Sequence, residues 1–156
     1  MTRGGVANAV LGGWSLGGIL QLQAGSPFTP PTGRDIANVG TTTRPNRVGQ
    51  GTVSAPNILQ WFDASAFVNP ANFTYGTSGV NILRGPGSQN LDAILSKSFR
   101  LGKESRWLQF RFEGSNVLNH ANFGQPNGNI NQPTQVGRIF GAGAPRILQL
   151  ALKLNF

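Results

Sequence analysis

The chain has 156 residues, of which only 12% are charged, roughly half the ~25% of an ordinary soluble domain; a face in lipid would explain how so uncharged a chain avoids needing more. The formal charge is +8, but the basic residues stand singly from Arg3 to Lys153, with no basic run or stripe, which argues against nucleic acid as a partner. There is no Cys, so no disulfide and no thiolate metal site, and no stretch of about 18 apolar residues that would make a transmembrane helix.

The 22 Gly and 10 Pro make the chain rich in turns, while 10 Phe and 3 Trp are too many apolar anchors for a disordered tail. Met1-Thr2-Arg3-Gly4-Gly5 is not followed by an apolar export segment. The sequence therefore reads as the end of a longer exported protein, with Met1 an internal or misplaced start.

Ala7–Leu11 predicts one helical turn, stopped by Gly12-Gly13. From there the dominant period is two. Trp14–Gln23 predicts a first strand, with Trp14, Leu16, Gly18, Leu20 and Leu22 on one face. Gly25-Ser26-Pro27 ends it. Residues 24–89 are irregular and rich in Pro, Gly and Asn, punctuated by Trp61, Phe62, Phe67, Phe73 and Tyr75. Loop aromatics commonly pack the loop itself, and that is the expectation here over contact with an external ligand. So long a loop counts against a compact soluble domain, whereas long extracellular loops are ordinary on outer-membrane barrels.

A second strand is predicted over 91–100 and a short turn over 101–105. A third strand follows over 106–118, where Leu108, Phe110 and Phe112 alternate with Gln109, Arg111 and Glu113. Residues 119–144 form a second long loop, and a fourth strand runs over 145–156. Strand, long loop, strand, short turn, strand, long loop, strand is the alternation of an outer-membrane barrel. Its parity sends strands one and three outward and leaves the carboxy terminus on the periplasmic side. Trp14 and Trp107 fall near that side, as aromatic-girdle candidates.

The last strand alternates without a break. Leu148, Leu150, Leu152, Leu154 and Phe156 share one face, and Gln149, Ala151, Lys153 and Asn155 the other. Its length suits a tilted membrane strand. The pattern resembles the outer-membrane assembly signal, whose terminal aromatic and alternating apolar residues are read by the barrel-insertion machinery. Leucines facing lipid and polar residues facing a lumen satisfy both solvents, but four strands leave two open edges that lipid cannot satisfy. The chain needs the rest of a barrel.

Three motifs add to this. They are Gly13-Trp14-Ser15-Leu16-Gly17-Gly18-Ile19, Asn81-Ile82-Leu83-Arg84-Gly85-Pro86-Gly87 ahead of Asp92 and Lys97, and Asn116-Val117-Leu118-Asn119-His120-Ala121-Asn122-Phe123-Gly124. With Phe156 they resemble the final strands of Oar-like TonB-dependent receptors, departing from the pattern at Val80 and Ala121. In that family a carboxypeptidase-regulatory-like domain and a plug precede a large barrel. The resemblance implies energy-coupled uptake through a plug and TonB, neither of which this chain carries.

The sequence offers little chemistry. The carboxylates Asp35, Asp63, Asp92, Glu104 and Glu113 form no close pair, and Glu113 has Arg111 as a same-face ion-pair partner. His120 is the sole His and reads as a hydrogen bonder beside Asn119 and Asn122. No catalytic, cofactor or metal site is expected. Gly102-Lys103-Glu104-Ser105 lacks the upstream glycine of a phosphate loop, and Asn72-Phe73-Thr74 matches a glycosylation sequon by accident. The fold expected is all-β, an antiparallel meander of about four long strands that closes a large transmembrane barrel. The function expected is the carboxy-terminal barrel portion of a TonB-dependent outer-membrane receptor for nutrient uptake. Its expected partners are outer-membrane lipid, the insertion machinery and, through the plug, TonB. The alternatives are a secreted β-sandwich that binds carbohydrate and a passive porin or adhesin barrel.

Overall fold

The computed structural model describes residues 10–102 and 106–156. Lys103, Glu104 and Ser105 of the predicted turn, and Ala7–Ala9 of the predicted helical turn, lie outside the described residues; Val10 and Leu11 are helical. Four long strands, β1 (Trp14–Gln23), β6 (Ser88–Arg100), β7 (Trp107–Ser115) and β8 (Ile147–Asn155), form one sheet in the order β1-β6-β7-β8. The other strands are two residues each: β2 (Pro27–Phe28), β3 (Asn46–Arg47), β4 (Phe67–Val68) and β5 (Leu83–Arg84). β2 pairs with β5 and β3 with β4. The meander predicted from period two is therefore present.

Two boundaries differ from the prediction by three residues, each for a local reason, while β7 opens one residue late, at Trp107, and β8 is trimmed to Ile147–Asn155. β6 opens at Ser88, not Leu91, because Gly87 lets the chain run against the end of β1. A Cβ on Gly87 would lie 2.8 Å from the Gln23 carbonyl oxygen. β7 stops at Ser115, not Leu118, because Asn116 and Asn119 adopt left-handed backbone (φ 49° and 52°). That region suits Asn among non-glycine residues and breaks strand pairing. Between β6 and β7 the Leu101 N–H donates to the Arg106 carbonyl at 2.9 Å, with Gly102 at φ 80°.

The chain divides into two compact units. One carries the four-stranded sheet. The other gathers residues 23–88 and 122–143, the bulk of both long loops. The sequence predicts irregular loops there, yet this second unit has a hydrophobic core of Phe62, Ala66, Phe67 and Leu83. Phe62 meets Phe28 and Phe67 edge-to-face at 5.7 and 6.0 Å, a favoured aromatic geometry. A 3₁₀ turn, Ala64–Ala66, is capped by Asp63, whose Oδ1 accepts from the Ser65 N–H at 3.0 Å.

The second loop is laced to the first by backbone and amide bonds. The Trp61 N–H donates to Gly137 O (2.7 Å), the Ile130 N–H to Pro31 O (3.1 Å), and Asn131 Nδ2 to Thr32 O (2.6 Å). Such bonds supply what strand ladders would otherwise give to buried backbone. The loop aromatics divide. Phe62 and Phe67 are buried, and Trp61 donates from its indole to Arg84 O at 2.8 Å. Phe73 and Tyr75 are exposed.

Candidate functional site

The register of the sheet fixes its two faces, because directly paired residues point the same way. Leu95, Phe112 and Leu150 are aligned across β6, β7 and β8; so are Lys97, Phe110 and Leu152, and so are Phe99, Leu108 and Leu154. Trp14 of β1 joins this face, with its ring edge-on to Phe110 at 6.0 Å. The opposite face aligns Ile94, Glu113 and Gln149, then Ser96, Arg111 and Ala151, then Ser98, Gln109 and Lys153. One face is thus almost wholly apolar and the other mostly polar, the division of a sheet with lipid on one side and water on the other.

Leu148, Leu150, Leu152 and Leu154 all lie on the apolar face of β8 and are 51–71% exposed. Phe156 follows the strand and is 96% exposed. Packing within the described residues therefore does not explain these five side chains. β8 and β1 are the sheet's edges, each hydrogen-bonded along one side only. A row of unpaired N–H and C=O groups cannot rest against lipid.

Period-two counting places Lys97 on the apolar face, but alternation does not say how a charge is held there. Its ammonium donates to the Val10 carbonyl at 2.7 Å and lies over the rings of Trp14 (5.2 Å) and Phe99 (5.0 Å). The side chain is buried, 4% exposed. Cation–π contact and a carbonyl partner keep the charge away from hydrocarbon. The Trp14 indole donates to the same Val10 carbonyl at 3.0 Å, so the helical residues before β1 organise this corner.

Trp107 is a correction. The sequence grouped it with Trp14 as a girdle residue, but the register pairs it with Arg100 and Asn155 on the polar face. Its ring lies under Lys153 Nζ at 5.7 Å. The alternation from Leu108 already put Trp107 on that face.

The polar face holds the expected ion pair, with Arg111 Nε donating to Glu113 Oε1 at 2.7 Å. Beside it opens a cavity of about 440 Å³ lined by Ile19, Ile94, Glu113, Ser115, Ile147 and Gln149, among others. At the β7 end of the sheet, Asp92 Oδ1 accepts from Asn90 Nδ2, Ser115 Oγ and the Asn116 N–H, each at 2.9 Å. Asn116 is buried. Its Oδ1 accepts from the His120 N–H at 3.0 Å, while its Nδ2 donates to His120 O at 3.0 Å and to Ala144 O at 3.4 Å. Asn119 Oδ1 accepts from the Arg146 N–H at 3.2 Å. The Asn-rich motif is thus the joint that leads out of β7 and brings the chain back towards β8.

His120 takes part here through its backbone and is exposed. Asp35 accepts from the Val39 and Gly40 amides, and Asp63 from Ser65; Glu104 lies outside the described residues. Among the described residues no three His, Cys, Asp or Glu side chains converge as a metal site would require.

No curated protein and no solved structure matches the chain. A family model described as an outer membrane beta barrel domain matches residues 1–149. That span takes in β1, β6, β7, both loops, the Asn-rich joint and the first three residues of β8, and the chain belongs to the outer membrane beta barrel domain family.

Proposed function

We propose that this chain is the carboxy-terminal barrel portion of a TonB-dependent outer-membrane receptor that takes up a nutrient. The observation that carries the proposal is the two-edged sheet: an apolar face ready for lipid, with unpaired backbone along β1 and β8. Lipid offers no hydrogen bonds, so further strands must pair with both edges before the sheet can sit in a membrane. The Oar-like motifs support the receptor reading. So does the loop-borne unit, whose own core makes it a body able to present a surface rather than a set of loose connections. A plug reached by TonB would then stand against the polar face, where the Arg111–Glu113 pair and the adjoining cavity lie.

Leu148, Leu150, Leu152, Leu154 and Phe156 serve assembly in this reading, as the strand that the insertion machinery recognises. Binding and transport are the proposed roles, with no catalysis, because four of the five carboxylates have structural partners.

The test is uptake in the cell of origin. Deleting the encoding region should abolish accumulation of at least one member of a panel of labelled oligosaccharides, peptides and ferric chelates, and TonB depletion should have the same effect. Accumulation that needs the region but persists without TonB would replace the receptor reading with a passive porin.

A further inference from the structure

We infer that a cleft in the loop-borne unit binds an acidic saccharide, a uronic-acid residue or its like. The proposal rests on reading that unit as the ligand-facing part of an uptake receptor. The cleft has a volume of about 330 Å³ and is lined by Arg34, Asp35, Asn38, Asn69, Asn72 and Phe73, among others. That volume lies at the lower end of the range of small-ligand sites, about 300–1,000 Å³.

Phe73 marks the cleft. It sits at the third position of a turn closed by the Thr74 N–H on Ala71 O at 3.2 Å, and it has φ 62°. Glycine or asparagine normally fills a left-handed turn position, and a bulky aromatic there is an outlier. The strain is not repaid by burial, since the ring is 77% exposed. The Phe73 N–H holds the turn to Ile36 O at 2.8 Å, which fixes the ring's base at the cleft. A strained residue that presents an apolar ring to water points to a use for the ring.

The polar lining is available. Within the described residues no hydrogen bond or ion pair engages the Arg34 guanidinium or the carboxamides of Asn38 and Asn72. The other arginines of this unit are engaged: Arg44 on Ser78 O, Arg47 on Gly49 O and Gln50 O, Arg84 on Gly25 O, and Arg138 on Thr134 O. Asp35 is engaged too, by the Val39 and Gly40 amides at 2.9 and 2.7 Å. Asp35 keeps its negative charge, but both its oxygens are taken by amides, so the Arg34 guanidinium is the charged group of the cleft with hydrogen-bonding capacity left to offer. A guanidinium fork matches a carboxylate in two parallel hydrogen bonds. Carboxamides both donate to and accept from ring hydroxyls, and an exposed ring offers a face to the C–H side of a pyranose. A uronic acid carries all three complements.

Binding of fluorescently labelled tetragalacturonate to the complete barrel protein that contains this chain, purified in detergent, tests this. Cellotetraose and tetraglutamate serve as the neutral-sugar and anionic-peptide probes. Saturable binding of tetragalacturonate is expected, with both other probes about tenfold weaker or worse. Arg34→Ala should weaken it by about tenfold or more through loss of the charged pair. Phe73→Gly should weaken it by a similar factor while leaving the thermal midpoint unchanged or raised, because glycine relieves the left-handed backbone. A merely structural Phe73 would give the reverse, lost stability and intact binding, and would overturn the proposal. It is overturned equally by absence of saturable binding, by normal binding in either variant, or by tetraglutamate or cellotetraose binding as well as the uronate. The assay needs no TonB, so binding with failed energy-coupled uptake would remove the receptor reading and leave the site standing.

Discussion

At Asn116 the backbone turns left-handed, with φ 49°, and the side chain is buried while it bonds to His120 on both sides and to Ala144. Alanine would lose the side-chain bonds, each worth about 1 kcal/mol, and add a left-handed penalty of about 1–2 kcal/mol. Asn116→Ala should therefore cost about 3 kcal/mol or more in urea denaturation followed by tryptophan fluorescence. Asn116→Gly, free of the backbone penalty, should cost about 1–2 kcal/mol less than alanine. Equal losses would mean that the backbone conformation is not what selects asparagine. At Phe156 the expectation is different. The side chain is 96% exposed, so Phe156→Ala should leave the denaturation midpoint of the assembled protein unchanged and reduce the amount that reaches the outer membrane several-fold. A lowered midpoint with normal delivery would make Phe156 a packing residue instead. The sequence made the asparagine motif visible as a family resemblance but gave no physical reason for it, because the acceptor and donor of each bond lie on segments that only the fold brings together.

The strands were the most legible part of the molecule, for a simple reason: their environment is set by alternation, which the sequence displays directly. β1 runs Trp14–Gln23 as predicted, and every leucine of β8 falls on the predicted face. What alternation cannot supply is a stopping point, so β6 and β7 were misjudged by three residues each where a glycine contact and a left-handed asparagine decide the boundary. The same alternation makes a paired prediction. Leu150 is aligned with Phe112 on the apolar face, and its neighbour Gln149 with Glu113 on the polar face. An arginine on a lipid-facing midplane position costs about 2–4 kcal/mol, whereas an arginine opposite Glu113 should change stability by no more than about 0.5 kcal/mol. Leu150→Arg should thus lower the denaturation midpoint in lipid vesicles sharply, and Gln149→Arg should not. If both variants behave alike, the apolar face does not contact lipid.

On the scale of the whole molecule, one sequence carries two kinds of order. In the sheet, neighbours along the chain alternate and neighbours across it are fixed by register. In the loop-borne unit there is no period to read, and the partners are far apart: Thr32 with Asn131, and Ser26 with Gln125. Its core is four residues with no shared period, Phe62, Ala66, Phe67 and Leu83, and this is why the composition suggested only a loop. A core so small should depend heavily on its centre. Phe62 is 2% exposed and touches both Phe28 and Phe67. Phe62→Ala should cost about 3–5 kcal/mol, a large share of what so small a core can supply. Because the unit has its own core, the loss should be confined to it. Amide exchange should accelerate across residues 23–88 and 122–143 and stay slow in β6, β7 and the paired edge of β8. Faster exchange in both units together would show that they unfold as one, and the loop-borne unit would then owe its order to the sheet and not to its own aromatic core.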